Sequence, residues 1–142
     1  MTEIVVGLDD SPSAAAALRW AAEQSRVTGL PLRALCAWQL TSDDRGTGSR
    51  DFAKAASADA RARATRRVID ALGKGAADVR WSLDVVEGPP GPALVKRSRG
   101  ARLLVLGACE HAGLRRVDLG SVSHYCLSHA EPPVVAVPAD VR

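Results

Sequence analysis

Five sets of residues in this 142-residue chain are of a kind that does chemistry. Adjacent acids, Asp9-Asp10, stand with Ser11 directly after an apolar run, Ile4-Val5-Val6-Gly7-Leu8. Neighbouring carboxylates at such a position can hold a magnesium ion. Cys109-Glu110-His111 and His124-Tyr125-Cys126 supply thiol and imidazole groups, the ligands zinc takes. Gly107, Gly120 and Ser121 could bring backbone N–H groups up to an anion, as the opening of a helix does. Arg115 and Arg116, in the stretch between those glycines, are guanidinium donors suited to phosphate.

The metal readings fail on spacing. His124 and Cys126 lie two apart on a predicted helix, about 200° apart around its axis, so they cannot both face one ion. Cys126 is expected to pack with Val122 in the core, and Cys36 to be a buried strand residue. Cys109 is expected on a loop, where Glu110 beside it works against a thiolate. His129, near a helix end, is expected to offset the helix dipole or cap carbonyls. A magnesium site of the receiver-domain kind needs a third acid at the end of the third strand and a late lysine. Asp51 instead follows Gly46 to Arg50, and the last lysine is Lys96. Ser/His/Asp and Cys/His sets at supporting spacing are absent, as are the H-x-G-H and Ser-Gly-Gly signatures of adenylate-forming enzymes. The sequence therefore assigns no catalytic and no metal-binding residue.

The elements that must position these residues alternate. Ile4 to Leu8 reads as a buried strand. Ser13 is the expected N-cap of a helix in which Ala14, Ala17, Leu18, Ala21, Ala22 and Ser25 recur at helical spacing, closed by Gly29 and Pro31. Leu32 to Leu40 is a second strand, and the polar stretch Thr41 to Ser49 is the most flexible by composition. Asp51 to Leu72 is a long helix anchored by Phe52, Val68, Ile69 and Leu72. Val79 to Val86 is a third strand, followed past Gly88-Pro89-Pro90-Gly91-Pro92 by a short helix, Ala93 to Ser98. Arg102 to Leu106 is a fourth strand ending at Gly107. A loop then runs to Leu119, a helix opens at Gly120-Ser121 and ends near His129, and Pro133 to Val137 is the last strand. This order predicts one α/β domain over 1–142, a doubly wound sheet of five parallel strands with helices on both faces. Ligands of such sheets bind beyond the carboxyl ends of the strands, which points to the segments after the first and fourth.

Composition narrows the class. Hydrophobic residues are 46% and charged residues 25%, a globular balance that argues against wholesale disorder. Neither an apolar run of membrane-helix length nor a signal peptide is present in the sequence, and three cysteines make no disulfide framework, so a cytoplasmic protein is expected with no membrane contact. The net charge is +3, and sixteen of nineteen basic residues are Arg. Arg61, Arg63, Arg66 and Arg67 cluster without interleaved aromatics, which reads as a solvated helix face, so no nucleic-acid partner is expected.

Ile4 to Ser13, with Ala17-Leu18-Arg19-Trp20-Ala21-Ala22 after it, is similar to the opening of the universal stress protein family. Leu104 to Gly107, Gly120-Ser121-Val122-Ser123 and Pro133 to Val137 resemble that family's closing region at the same spacing. The resemblance implies strand order 3-2-1-4-5 in a Rossmann-like, adenine nucleotide alpha hydrolase-like architecture, and a homodimer through the last strand, Val134 to Val137. It also implies an adenine-nucleotide cofactor, with magnesium if that is ATP. By analogy Asp9 faces the adenosine half, the Ala37 backbone lies beside the base, and Gly107, Gly120, Ser121, Val122 and Ser123 hold the rest, with Ser11 matching the opening motif. ATP-binding members carry G-x2-G-x9-G-[S/T]. Here Gly107 and Gly120-Ser121 match, Glu110 replaces the middle glycine, and Asp10 replaces the glycine of Asp-Gly-Ser.

Both replacements act against phosphate. A Cβ costs roughly 1 kcal/mol or more where glycine adopts positive φ. A carboxylate about 5 Å from a phosphate charge repels it by roughly 3 kcal/mol at an effective dielectric near 20. That corresponds to about a hundredfold in affinity. The expected function is a universal-stress-type regulatory module with ATP binding weak or lost, acting through dimerisation and an unidentified protein partner. Two alternatives stay open: an adenine-nucleotide sensor (ATP, AMP or cyclic AMP) in which Arg115, Arg116 and His111 compensate, and a weak ATP hydrolase.

Overall fold

Five consecutive residues without a polar side chain, Ile4–Leu8, form β1, and all five are buried. A strand of that kind must be covered on both faces, and the rest of the chain supplies the cover. The computed structural model describes residues 2–9, 11–39, 50–110, 117–118 and 120–139. In order they form β1, α1 (Pro12–Thr28), β2 (Leu32–Trp38), α2 (Arg50–Leu72), a 3-10 segment (Gly73–Asp78), β3 (Trp81–Glu87) and α3 (Pro90–Arg97). Then come β4 (Leu103–Glu110), β5 (Val117–Asp118), α4 (Gly120–His129) and β6 (Val134–Pro138). The stretch 41–49, read from composition as flexible, lies outside the described residues, as does Leu40.

The parallel strands run in the order β3-β2-β1-β4-β6, the expected 3-2-1-4-5 with β6 as the fifth. Helices lie on both faces. Ile4, Val6 and Leu8 point to one side, where they pack with Leu18 and Ala21 of α1 and Ala64, Val68 and Leu72 of α2. Val5 points to the other, with Leu35, Leu94 of α3, Leu104, Leu106 and Cys126 of α4. The alternation of β1 thus feeds two cores. Across the second face Arg33 joins three neighbouring segments: its Nε donates to Glu3 at 2.9 Å and its Nη1 to Asp84 at 2.7 Å. Those two carboxylates raise the guanidinium's already high pKa.

Several boundaries differ from the sequence reading. The N-cap of α1 is Ser11, with Pro12 in the first turn, because Ser13 is buried inside the helix's packed face. The αL residue that ends α1 is Gly29, whose N–H donates to the Ser25 carbonyl. In α2 the seam against the sheet is Ala60, Ala64, Val68 and Leu72, one residue per turn. The expected anchors Phe52 and Ile69 are instead 40% and 50% exposed. Val68 and Leu72 of the expected anchors do face the sheet, and the two alanines of the seam let the helix sit close, so Phe52 and Ile69 fall on its outer faces. The β6 edge has a strand partner on one side only among the described residues, β4.

Leu18, 1% exposed, and Ile69, 50% exposed, test this assignment of the core. Leu18→Ala is expected to cost about 2–5 kcal/mol. Ile69→Ala should cost no more than about 0.5 kcal/mol. Urea denaturation of the two variants reads the difference.

Candidate functional site

At the carboxyl ends of β1, β2 and β4 the two layers part around a cavity of about 150 Å3. Its walls come from β1 and its exit (Gly7, Leu8, Asp9), from β2 (Leu35, Ala37) and from β4 (Leu106, Gly107). Pro90 and Leu94 of α3 and Ser121, Val122 and Ser123 of α4 complete it. This is where the strand order reverses, β1 leading to β2 on one side and flanked by β4 on the other. The floor is aliphatic. At one rim α4 begins, and the N–H groups of a helix's first turn lack intrahelical acceptors and carry the positive end of its dipole. No acidic residue stands in that first turn.

Six of the residues singled out in the sequence therefore line one cavity: Asp9, Ala37, Gly107, Ser121, Val122 and Ser123. Gly120 is the first residue of α4 at its rim. Ser11 does not line it. Its N–H donates to Asp9 Oδ1 at 2.8 Å, its hydroxyl donates to the same oxygen, and it faces a second cavity of about 340 Å3 between α1 and α2. The carbonyl of Asp9 accepts from Arg67 Nη1 of α2 at 3.2 Å. Asp10, His111, Arg115 and Arg116 lie outside the described residues.

Sequence reasoning missed Gly7, Leu35, Pro90, Leu94 and Leu106 as lining residues. The available signal was alternation: residues that share a face with Val5 on β1 must meet whatever covers that face, and α3 follows β3 over it.

The fourth strand is longer than expected. It runs through Gly107 to Glu110, and Cys109 and Glu110 pair antiparallel with Asp118 and Val117 of β5. Cys109 is thus a strand residue and not a loop residue. Gly107, the expected strand end, lies inside the strand, and another backbone passes close to it.

The other two thiols are quiet. Cys36 is half-buried on β2, not fully buried; burial raises its pKa, partly opposed by Arg63. Cys126 is completely buried beside Val122, and burial raises its pKa to about 11. His129 Nδ1 donates to the Tyr125 carbonyl at 2.9 Å and the ring stacks on Tyr125, a capping role at the end of α4. Among the described residues no three His, Cys, Asp or Glu side chains come together as a metal site, and no helix is long and apolar enough to cross a membrane.

An open parallel sheet with a cleft at its switch point and a helix N-terminus on the rim defines a doubly wound, Rossmann-like domain. Comparison with known proteins specifies which. A profile of the universal stress protein family matches residues 1–138. The chain belongs to the universal stress protein family. It is 28% identical over 141 residues to universal stress protein Rv2624c of Mycobacterium tuberculosis, covering 99% of this chain and 50% of that one. The chain spans about half the length of the curated relatives it matches. Among solved structures it is similar to universal stress protein UspA from Lactobacillus plantarum, with a TM-score of 0.72, 22% identity and coverage of 96% and 97%. It is also similar to a universal stress protein in complex with cAMP, with a TM-score of 0.66, 24% identity and 98% of each chain covered.

The buried Cys126 thiol gives a pH test. The fold holds its pKa at about 11 against about 9 for an exposed thiol, so between those values only the unfolded chain has released the proton. Stability therefore falls as pH rises through that window, at about 1.4 kcal/mol per pH unit at most. Groups common to both proteins cancel on comparing wild type with Cys126→Ala. The wild type should lose about 2 kcal/mol more than the variant between pH 9 and 11 in urea denaturation.

Proposed function

We propose that this protein is a universal-stress-type regulatory module whose cleft accepts the adenosine half of an adenine nucleotide and disfavours a polyphosphate tail. The observation that carries the reading is the backbone at Glu110. Where the ATP-binding pattern has its second glycine, this chain continues β4 as a ladder with Val117. A paired strand segment spends its N–H groups on its partner strand and on the ladder, which leaves fewer of them for phosphate. The aliphatic part of the cleft is retained in Leu35, Ala37, Leu94 and Leu106, and the cavity is smaller than the roughly 300–1,000 Å3 usual for a whole ligand. A purine fits that description better than a nucleoside triphosphate.

A binding role also fits the side chains better than hydrolysis. Among the described residues lining the cavity Asp9 is the one ionisable side chain, and one of its oxygens is already engaged by Ser11. The cAMP complex of a structural relative supports the ligand class. We further propose that a second copy of the chain covers the open edge of β6, whose residues Val134 to Val137 are only half-buried in the single chain.

Calorimetric titration with cAMP, AMP and Mg-ATP tests the cleft. Expected are binding of the two monophosphates and at least tenfold weaker binding of ATP. Replacing both acids, Asp10→Gly with Glu110→Gly, should raise ATP affinity on the order of a hundredfold. Equal wild-type affinity for ATP and cAMP, unchanged in the double variant, would sink the reading. For assembly, light scattering at micromolar concentration should give twice 14.9 kDa, and the monomer mass would overturn the β6 contact.

A further inference from the structure

We propose that Gly107 and Ser13 are positioning residues for Asp9, acting through a chain of hydroxyl groups that begins against β4 and ends in the cleft. The proposal rests on the reading of that cleft as an adenine-nucleotide site. Gly107 shares the α1 side of β4 with Val105. A Cβ there would lie 2.5 Å from Ser13 Oγ, 2.7 Å from the Ser13 carbonyl carbon and 2.9 Å from Ala14 N. Two of these three atoms are backbone of the first turn of α1, so no change of rotamer would relieve the contact. The space left by the missing side chain is filled by the start of α1.

Seated in that space, Ser13 is 2% exposed and its Oγ lies 2.8 Å from Ser11 Oγ. The direction of this bond follows from counting protons. Ser11 has one hydroxyl proton and gives it to Asp9 Oδ1, which as a carboxylate only accepts. Ser13 must therefore donate to Ser11. The chain runs from Ser13 to Ser11 to Asp9, each donor polarised by the next acceptor. The Ser11 N–H makes a second bond to the same Oδ1, and Arg67 fixes the Asp9 carbonyl from the α2 side. Oδ1 is thus committed to the turn, and Oδ2 is the carboxylate oxygen left to meet a ligand. A glycine whose family pattern suggests phosphate contact here sets the carboxylate of the opposite wall.

Ser13→Ala removes the first donor and keeps the backbone packing, and Gly107→Ala displaces the helix start itself. Amide hydrogen exchange at Ser11, in ligand-free protein, reads the turn. Calorimetry with cAMP reads the cleft. In Ser13→Ala we expect an unchanged cooperative melt, Ser11 exchange about tenfold faster and cAMP affinity about tenfold lower. Ser13→Ala combined with Asp9→Asn should bind no more weakly than Asp9→Asn alone. Gly107→Ala should show the same changes enlarged, and Ser13→Ala carries the test if that variant does not fold. Wild-type exchange at Ser11 in Ser13→Ala overturns the proposal, and so do additive losses in the double variant. If wild-type protein binds no cAMP, the nucleotide reading of the cleft is what fails, and Ser11 exchange alone decides whether the hydroxyl chain holds the turn.

Discussion

How closely helices can approach the carboxyl ends of β1 and β4 governs the rest of this structure. Two glycines set that distance, on adjacent strands and on opposite faces. A Cβ on Gly7 would come within 2.9 Å of Leu106 and 3.0 Å of Leu94, the residues that close the α3 side. A Cβ on Gly107 would strike the first turn of α1 on the other side. With both positions bare, the helical layers pinch the sheet at the level where strand order reverses. The exit of β1, the end of β2 and the start of α4 then converge on one cleft. At Gly107 the atoms in the way are backbone, so a methyl group there moves the start of α1, whereas at Gly7 they are leucine side-chain ends that must repack.

The cleft has two unlike halves. Its inner half is aliphatic, walled by side chains that also belong to the second core, so its shape is as rigid as that core. Its outer half is made of polar groups at element ends: Asp9, held from behind by Ser11 and Ser13, on one wall and the opening of α4 on another. Such a division suits a ligand with a flat apolar part and a charged part. The wall between the cleft and the second cavity is the Asp9 segment itself, which contributes to both. Arg67 reaches it from α2, its Nη1 donating to the Asp9 carbonyl.

Much of this could be read from residue order. The uninterrupted run in β1, the alanine spacing of α1, the Gly29 stop and the alternation of strand and helix each reflect a local rule, and each held. The strand order and the cleft residues Asp9, Ala37, Gly107 and Ser121 to Ser123 came from the resemblance of the two end segments to a family. The misreadings share one cause. Hydrophobicity alone makes anchors of Phe52 and Ile69, whereas the seam of α2 is Ala60, Ala64, Val68 and Leu72. Residue type makes Ser13 the cap, whereas Ser11 stands at the N-cap position and Ser13 is buried.

The sequence by itself determined the alternation of the parallel strands with helices, the two-sided covering of β1 and the membership in a family, because these depend on periodicity, composition and motif spacing. Only the tertiary structure decided where β4 ends, what Gly107 is for and which oxygen of Asp9 is committed. Those depend on backbone segments far apart in sequence: Gly107 against Ser13, Glu110 against Val117, Arg67 against Asp9. A glycine in a sequence says that room is left. What fills the room is a matter of packing.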